Sequence, residues 1–176
     1  MDLSFSTEQS ALADAVSRLY AKESHPERVR LAEASGFDNV LWQALVRMGL
    51  PTMGVAETQG GGGASLTDLA VVAEQHGASL GSAPLIETMV VARLLARGDG
   101  SSATLLDRLV QGAPAGLGLH PARDGRLRLV PGGAVAAVVV GLDGDELVVV
   151  SSTGNRELRR TLHSGAVADV DLGASA

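Results

Sequence analysis

The sequence predicts an α+β protein: an N-terminal all-helical domain of about six helices over residues 1–112, then a small antiparallel β domain over 113–176. Three observations predict it. Up to Val110 the apolar residues recur at helical spacing, in segments that open on capping residues and close on glycine or proline. After Pro114 the apolar runs are short, rich in valine and separated by glycine, with Asp124-Gly125 and Asp143-Gly144 as turn signals. Helices come first and strands afterwards, without alternation, which argues against a Rossmann-type sheet.

Ser6-x-x-Gln9 is a capping box ahead of Leu12, Ala15, Val16 and Leu19, so the first helix spans Thr7 to Glu23. Pro26 can open a short charged helix at its first position, and Gly36 closes it. Asp38 caps the stripe Val40, Leu41, Ala44, Leu45 and Met48; Gly49 and Pro51 end it. Four glycines follow, Gly60 to Gly63, where the backbone must turn sharply or lie close to something else. Ser65 with Asp68 then starts a helix through His76, a second helix covers Ala83 to Ala96, and Ser101 or Ser102 caps a last one over Thr104–Val110. Strands are expected at 117–119, 127–130, 135–140, 147–150 and 167–172.

Composition narrows the function classes. At 176 residues and 45% apolar the chain can bury a core, and with 2% aromatic residues that core must be Leu, Val and Ala. Without cysteine there is no disulfide framework, thiol nucleophile or cysteine-ligated zinc. A net charge of -6 with dispersed basic residues argues against nucleic acid as the partner. No basic-then-apolar leader is present and no apolar run reaches the ~18 residues of a membrane span, so the expectation is a cytoplasmic protein with no membrane partner.

Several motifs in order resemble the start of the acyl-CoA dehydrogenase family. Phe5-Ser6-Thr7-Glu8-Gln9 opens a helix as family members do. Leu45-Val46-Arg47-Met48-Gly49-Leu50 matches a helix ending Leu-x-x-x-Gly-Leu. Ala56-Glu57-Thr58-Gln59-Gly60-Gly61-Gly62-Gly63 is similar to a Pro-Glu-x-x-Gly-Gly-x-Gly loop. Leu66, Leu69, Val72, Glu74 and Gly77 fit the helix that follows it, and Pro84-Leu85-Ile86-Glu87 the next helix start. The resemblance covers residues 3–110. It implies a flavoprotein binding FAD, which oxidises an acyl-CoA thioester to the 2,3-enoyl-CoA, with a carboxylate removing the α-proton. It also implies a tetramer or mixed oligomer, assembled through a C-terminal helical bundle. That bundle carries the family's catalytic carboxylate and is not reached by residue 176, so no catalytic residue is assigned and the chain alone is expected to be inactive. The expectation is therefore a front portion of a longer protein, or a chain whose bundle comes from a partner. The β part departs from the family, having neither Gly-Ser-Asp nor a tryptophan after Trp42. The alternative reading is a non-catalytic partner subunit of a heteromeric acyl-CoA dehydrogenase that supplies assembly and substrate-pocket surface. A plain helical binding module with a β appendage is the third.

Candidate residues each carry a plainer reading. By the resemblance, Ser82–Ala92 touches the acyl chain, with Thr88 and Met89 as the positions to test; core packing explains the stripe Leu85, Met89, Ala92 and Leu95 equally. The glycine run is a crossing loop rather than a nucleotide loop, since no strand precedes it and Gly-Lys-Ser/Thr is missing. Glu57 and Glu74 read as solvated carboxylates, and His76 as a helix C-terminal residue favoured by the dipole. His25, His76, His120 and His163 have no metal-ligand spacing. Arg156, Arg159 and Arg160 are either a phosphate contact of CoA or FAD, or a solvated strand edge. The helices' apolar stripes exceed what a small β part can cover, so an exposed oily face and an open cleft where the two parts meet are expected.

Overall fold

In the computed structural model, which describes residues 4–98, 100–151 and 156–174, six helices precede five strands. The helices are α1 (Thr7–Glu23), α2 (Pro26–Ala32), α3 (Asn39–Arg47), α4 (Leu66–Ala78), α5 (Leu85–Leu95) and α6 (Ala103–Val110). The strands are β1 (Ala115–Leu117), β2 (Arg126–Val130), β3 (Val138–Asp143), β4 (Glu146–Ser151) and β5 (Ala168–Asp171).

The caps form where the sequence places them, with one exception. Ser6 Oγ accepts from Gln9 N at 3.2 Å while Ser6 N donates to Gln9 Oε1 at 3.1 Å. Ser65 and Asp68 repeat this reciprocal box at the start of α4. Asp38 Oδ1 accepts from Val40 N and Leu41 N, and Arg28 grips the same carboxylate, so one side chain starts α3 and ties α2 to it. Each charge-assisted contact of this kind is worth about 1.5–3 kcal/mol where it is shielded from water. Gly49 ends α3 in the left-handed region at φ 74°. Ser102 precedes α6 but makes no side-chain cap.

Two cores share α5. One face of it, Leu85 and Met89, packs with Val16, Tyr20, Leu41, Trp42 and Leu45. The other, Val91, Ala92 and Leu95, packs with Leu106 and Leu109 of α6 and with Ala115, Val138 and Val140 of the β part. Fully burying each such side chain contributes about 1.5–3 kcal/mol. Trp42 Nε1 donates to Gly112 O at 2.8 Å, fastening α3 to the point where helix gives way to strand.

The sheets are mixed rather than purely antiparallel. β3 and β4 form a hairpin, Val138 facing Ser151 through Asp143 facing Glu146, but β1 runs parallel to β3, with Ala115 opposite Val138. A parallel pair needs a crossover of a dozen or more residues, and the segment carrying β2 supplies it. This pairing also moves the first strand toward Pro114, leaving Leu119 exposed. β2 and β5 pair antiparallel as a second layer, with a register shift between Leu127 and Val130. Leu127, Val130, Val139, Val150 and Val170 fill the space between the layers.

The glycine run folds back on the segment before it. A Cβ on Gly61 would lie 2.2 Å from Val55 O, and Gly63 N donates to that same oxygen at 2.8 Å. Leu31, Leu66, Leu80 and Leu162 remain at least 70% exposed.

Candidate functional site

A cleft of about 440 Å³ opens where the helices meet the strands. Its helical walls are the corner between α4 and α5 and the first turn of α5; its β walls are Pro131-Gly132 and the segment 162–167. Glycine sets how closely the walls approach. Gly132 has φ +72°, and a Cβ there would lie 2.8 Å from Pro84 Cβ and 2.7 Å from Ala115 O. A Cβ on Gly36 would lie 2.4 Å from Ala166 N, so the end of α2 touches the strand side backbone to backbone.

The lining combines apolar and titratable side chains: Leu80, Ile86 and Leu162 with Glu33, Glu87 and His163. Among the described residues no lysine or arginine contributes to it. Glu87 is half-buried; desolvation raises its carboxyl pKa, while the charge of His163 pulls the other way. His76 forms part of the wall. Its Nδ1 lies 2.6 Å from Tyr20 Oη, and burial depresses the ring pKa from 6.5 to about 4. The expectation of a histidine favoured by the helix dipole is therefore corrected: at 8% exposure the charged ring is too poorly hydrated, and the neutral ring shares a hydrogen bond with the tyrosine hydroxyl. The same burial pushes the Tyr20 phenol up.

Thr88 and Met89 sit behind this wall. Thr88 is fully buried; its Oγ1 donates to Pro84 O at 2.6 Å and accepts from Ala115 N at 2.9 Å, pinning α5 to β1. Met89 packs in the helical core beside Tyr20 and Trp42. Their neighbours Ile86 and Glu87 face the cleft instead, because residues one or two apart on a helix point in different directions. Glu57 and Glu74 are exposed and lie outside the cleft. Among the described residues, no three His, Cys, Asp or Glu side chains gather as a metal-ion set.

The Arg156–Arg160 segment is not a plain solvated edge. Arg156 Nη1 donates to Gly133 O and Ala136 O, its Nη2 is buried without a partner, and desolvation lowers its pKa. Arg159 pairs with Asp169 at 3.0 Å. A different basic group, which sequence reading passed over, surrounds a second pocket of about 430 Å³: Arg123, Arg126 and Arg128 with His120. Its signal was present as alternate arginines across the Asp124-Gly125 turn. Glu87 was also legible, as a carboxylate in the first turn after Pro84.

A helical domain is thus joined through the shared helix α5 to a small β unit, with a cleft at the join. The profile "Acyl-CoA dehydrogenase, N-terminal domain" matches residues 6–112. The chain belongs to the acyl-CoA dehydrogenase family. It is 33% identical over 144 residues to acyl-CoA dehydrogenase IpdE2 of Mycobacterium tuberculosis, covering 80% of this chain and 43% of that protein. The chain thus spans less than half the length of that curated relative. In fold it is similar to the ChsE4-ChsE5 complex from Mycobacterium tuberculosis, with TM-score 0.83 and 19% identity over 98% of this chain and 55% of the other. It is equally similar to a variant of the Tcur3481-Tcur3483 steroid ACAD, with TM-score 0.82 and 22% identity over 94% of this chain and 54% of the other. Among the described residues no helix is long and apolar enough to cross a membrane.

Proposed function

We propose that this chain forms one side of the substrate pocket of an acyl-CoA dehydrogenase, which oxidises an acyl-CoA thioester to the 2,3-enoyl-CoA. The observation that carries the reading is the open cleft at the helix–strand join, walled by Leu80, Ile86 and Leu162 and holding one desolvated carboxyl at Glu87. Apolar walls suit an acyl group, and a cleft open to solvent in the lone chain suits completion by further protein. The fold shared with a steroid ACAD favours a bulky, ring-bearing acyl group.

The cleft fits the uncharged end of such ligands. Gly132 and Gly36 let a flat group approach the backbone, whereas Glu33 and Glu87 would repel a pyrophosphate there. FAD, when bound, supplies the acceptor for the substrate hydride. Within this chain Pro131 and Gly132 would border its ring, and Leu80 and Ile86 would exclude water from the acyl group. None of the described cleft residues is assigned as the base that removes the α-proton. The exposed leucines Leu80 and Leu162 at the cleft rim suit cover by further protein, such as a partner subunit.

A second reading, a non-catalytic partner subunit, is favoured by one feature: among the described residues the cleft has no lysine or arginine to hold a dinucleotide. The two separate on flavin retention. The intact protein is purified alone and with its genomic neighbour, and its absorbance and dye reduction with acyl-CoA are measured. Yellow protein and dye reduction from the lone protein support the enzyme. Colour and turnover only in the mixed preparation support the partner subunit, and neither in any preparation refutes both.

A further inference from the structure

The cleft holds a carboxyl whose burial the surrounding fold does not explain. Glu87 stands in the first turn of α5 and lines the cleft. The positive end of a helix favours a carboxylate. So do its own backbone N–H and the charge of His163. Burial outweighs them and raises its pKa. Among the described residues Glu87 enters no ion pair, and no lysine or arginine lines the cleft to answer it. Glu33, the other carboxylate of the lining, is exposed and keeps its water. A cleft built for hydrocarbon alone would gain from an apolar side chain at 87, because a buried polar group left unsatisfied costs about 1–3 kcal/mol.

His163 comes from the β wall. A Cβ on Gly165 would lie 2.4 Å from its Nε2, so this glycine makes the room in which the imidazole rests against the backbone. The rim beside it is strained. Leu80, on the helical side, and Ser164, on the β side, both line the cleft with φ in the left-handed region, at 49° and 51°. For a residue with a side chain that conformation costs about 1–3 kcal/mol, and such strain gathers at ligand clamps. A carboxyl and an imidazole on facing walls offer hydrogen-bond acceptor and donor together, among surfaces that otherwise take hydrocarbon. A hydroxyl group, which both donates and accepts, answers the two at once.

We propose that Glu87 and His163 are specificity-determining residues, which select an acyl group bearing a hydroxyl on its ring over a plain hydrocarbon acyl group of the same size. The hydroxyl donates to the Glu87 carboxyl and accepts from the His163 ring, while Leu80, Ile86 and Leu162 enclose the carbon skeleton. The selection rests on the acyl-CoA reading above and deepens it. Neither residue takes part in the chemical step.

The test uses the intact protein purified with its genomic neighbour. Cyclohexylpropanoyl-CoA and its ring-hydroxylated and ring-keto analogues are compared by Kd in calorimetry and by kcat/KM in dye reduction. The parent is expected to prefer the hydroxyl ester over the plain one by about tenfold to a hundredfold, with the keto ester between them because a keto oxygen only accepts. Glu87→Leu should weaken the hydroxyl ester about tenfold and improve the plain ester about threefold, so the preference collapses. Glu87→Gln keeps a carbonyl acceptor and should retain most of the preference, while His163→Leu should lose about half of it on a logarithmic scale. Glu74→Gln, exposed on α4, should match the parent. The ratio of two esters on one variant does not move with a simple loss of stability, and circular dichroism melts check that each variant folds. Equal use of the three esters by the parent, or an unchanged preference in folded Glu87→Leu, overturns the proposal and leaves the acyl-CoA reading standing. A keto ester that outranks the hydroxyl ester overturns the choice of hydroxyl. If no ester binds or is oxidised, the reading and the proposal fall together.

Discussion

Acidification should destabilise this protein through His76 before its carboxylates matter. The ring is held neutral in the fold, with its pKa depressed from 6.5 to about 4, while the unfolded chain takes up a proton near the ordinary value. The native state therefore binds fewer protons than the unfolded state between those limits. Stability is complete above pH 6.5 and is lost as pH falls toward 4. The full displacement corresponds to about 3 kcal/mol, of which about 2 kcal/mol is gone by pH 5. That is a large share of an ordinary domain's margin of about 5–15 kcal/mol. The groups around the ring complicate the measurement. Tyr20 does not titrate in this range, but Glu87 in the same cleft acts in the opposite sense. Its raised pKa means the fold gains from its protonation, an advantage present below the unfolded value and lost as pH rises through the folded one. Asp38, Asp68 and Asp169 have lowered pKa values, so their losses come below about pH 4. The assay is therefore urea unfolding at about pH 7.5, 6 and 5, followed by the fluorescence of Trp42, the single tryptophan. It compares Glu87→Gln with Glu87→Gln/His76→Gln. The difference between the two stabilities should shift by about 2 kcal/mol across that range. Parallel profiles for the pair, or a ring-proton NMR titration of His76 centred near 6.5, would refute the reasoning.

Other substitutions test the joints around the cleft. Thr88→Val keeps the shape of the side chain but strands the buried Ala115 amide, and should lower stability by about 1–3 kcal/mol in chemical denaturation. Gly36→Ala forces a Cβ to within 2.4 Å of Ala166 N at φ +67°; a melting temperature equal to the parent's would mean the α2 end does not touch the strand side. Gly81→Ala drives a methyl to within 2.4 Å of the His76 ring, and should cost about 1–3 kcal/mol and raise the ring's pKa by loosening its burial. Trp42→Phe removes the donor to Gly112 O and a buried ring edge, with an expected loss of about 2 kcal/mol or more, read by the urea midpoint of circular dichroism.

What the sequence alone determined is everything set by short-range chemistry. Ser6 with Gln9, Asp38 and Ser65 with Asp68 declare helix starts, because a cap is satisfied within three residues of itself. Gly49 and the Asp124-Gly125 turn declare reversals for the same local reason, and the ordered series of motifs was enough to point to the family. The tertiary structure decided whatever depends on which distant surface arrives. Nothing local distinguishes Thr88, a buried pin onto β1, from Glu87, one residue earlier and facing the cleft. His76 looked like a dipole-stabilised cation until Tyr20, fifty-six positions away, closed over it. β1 looked like a strand of a small antiparallel domain until its partner proved to be β3, running the same way. In each case burial and long-range contact, which no stretch of neighbouring residues encodes, set the charge state and the facing of a side chain.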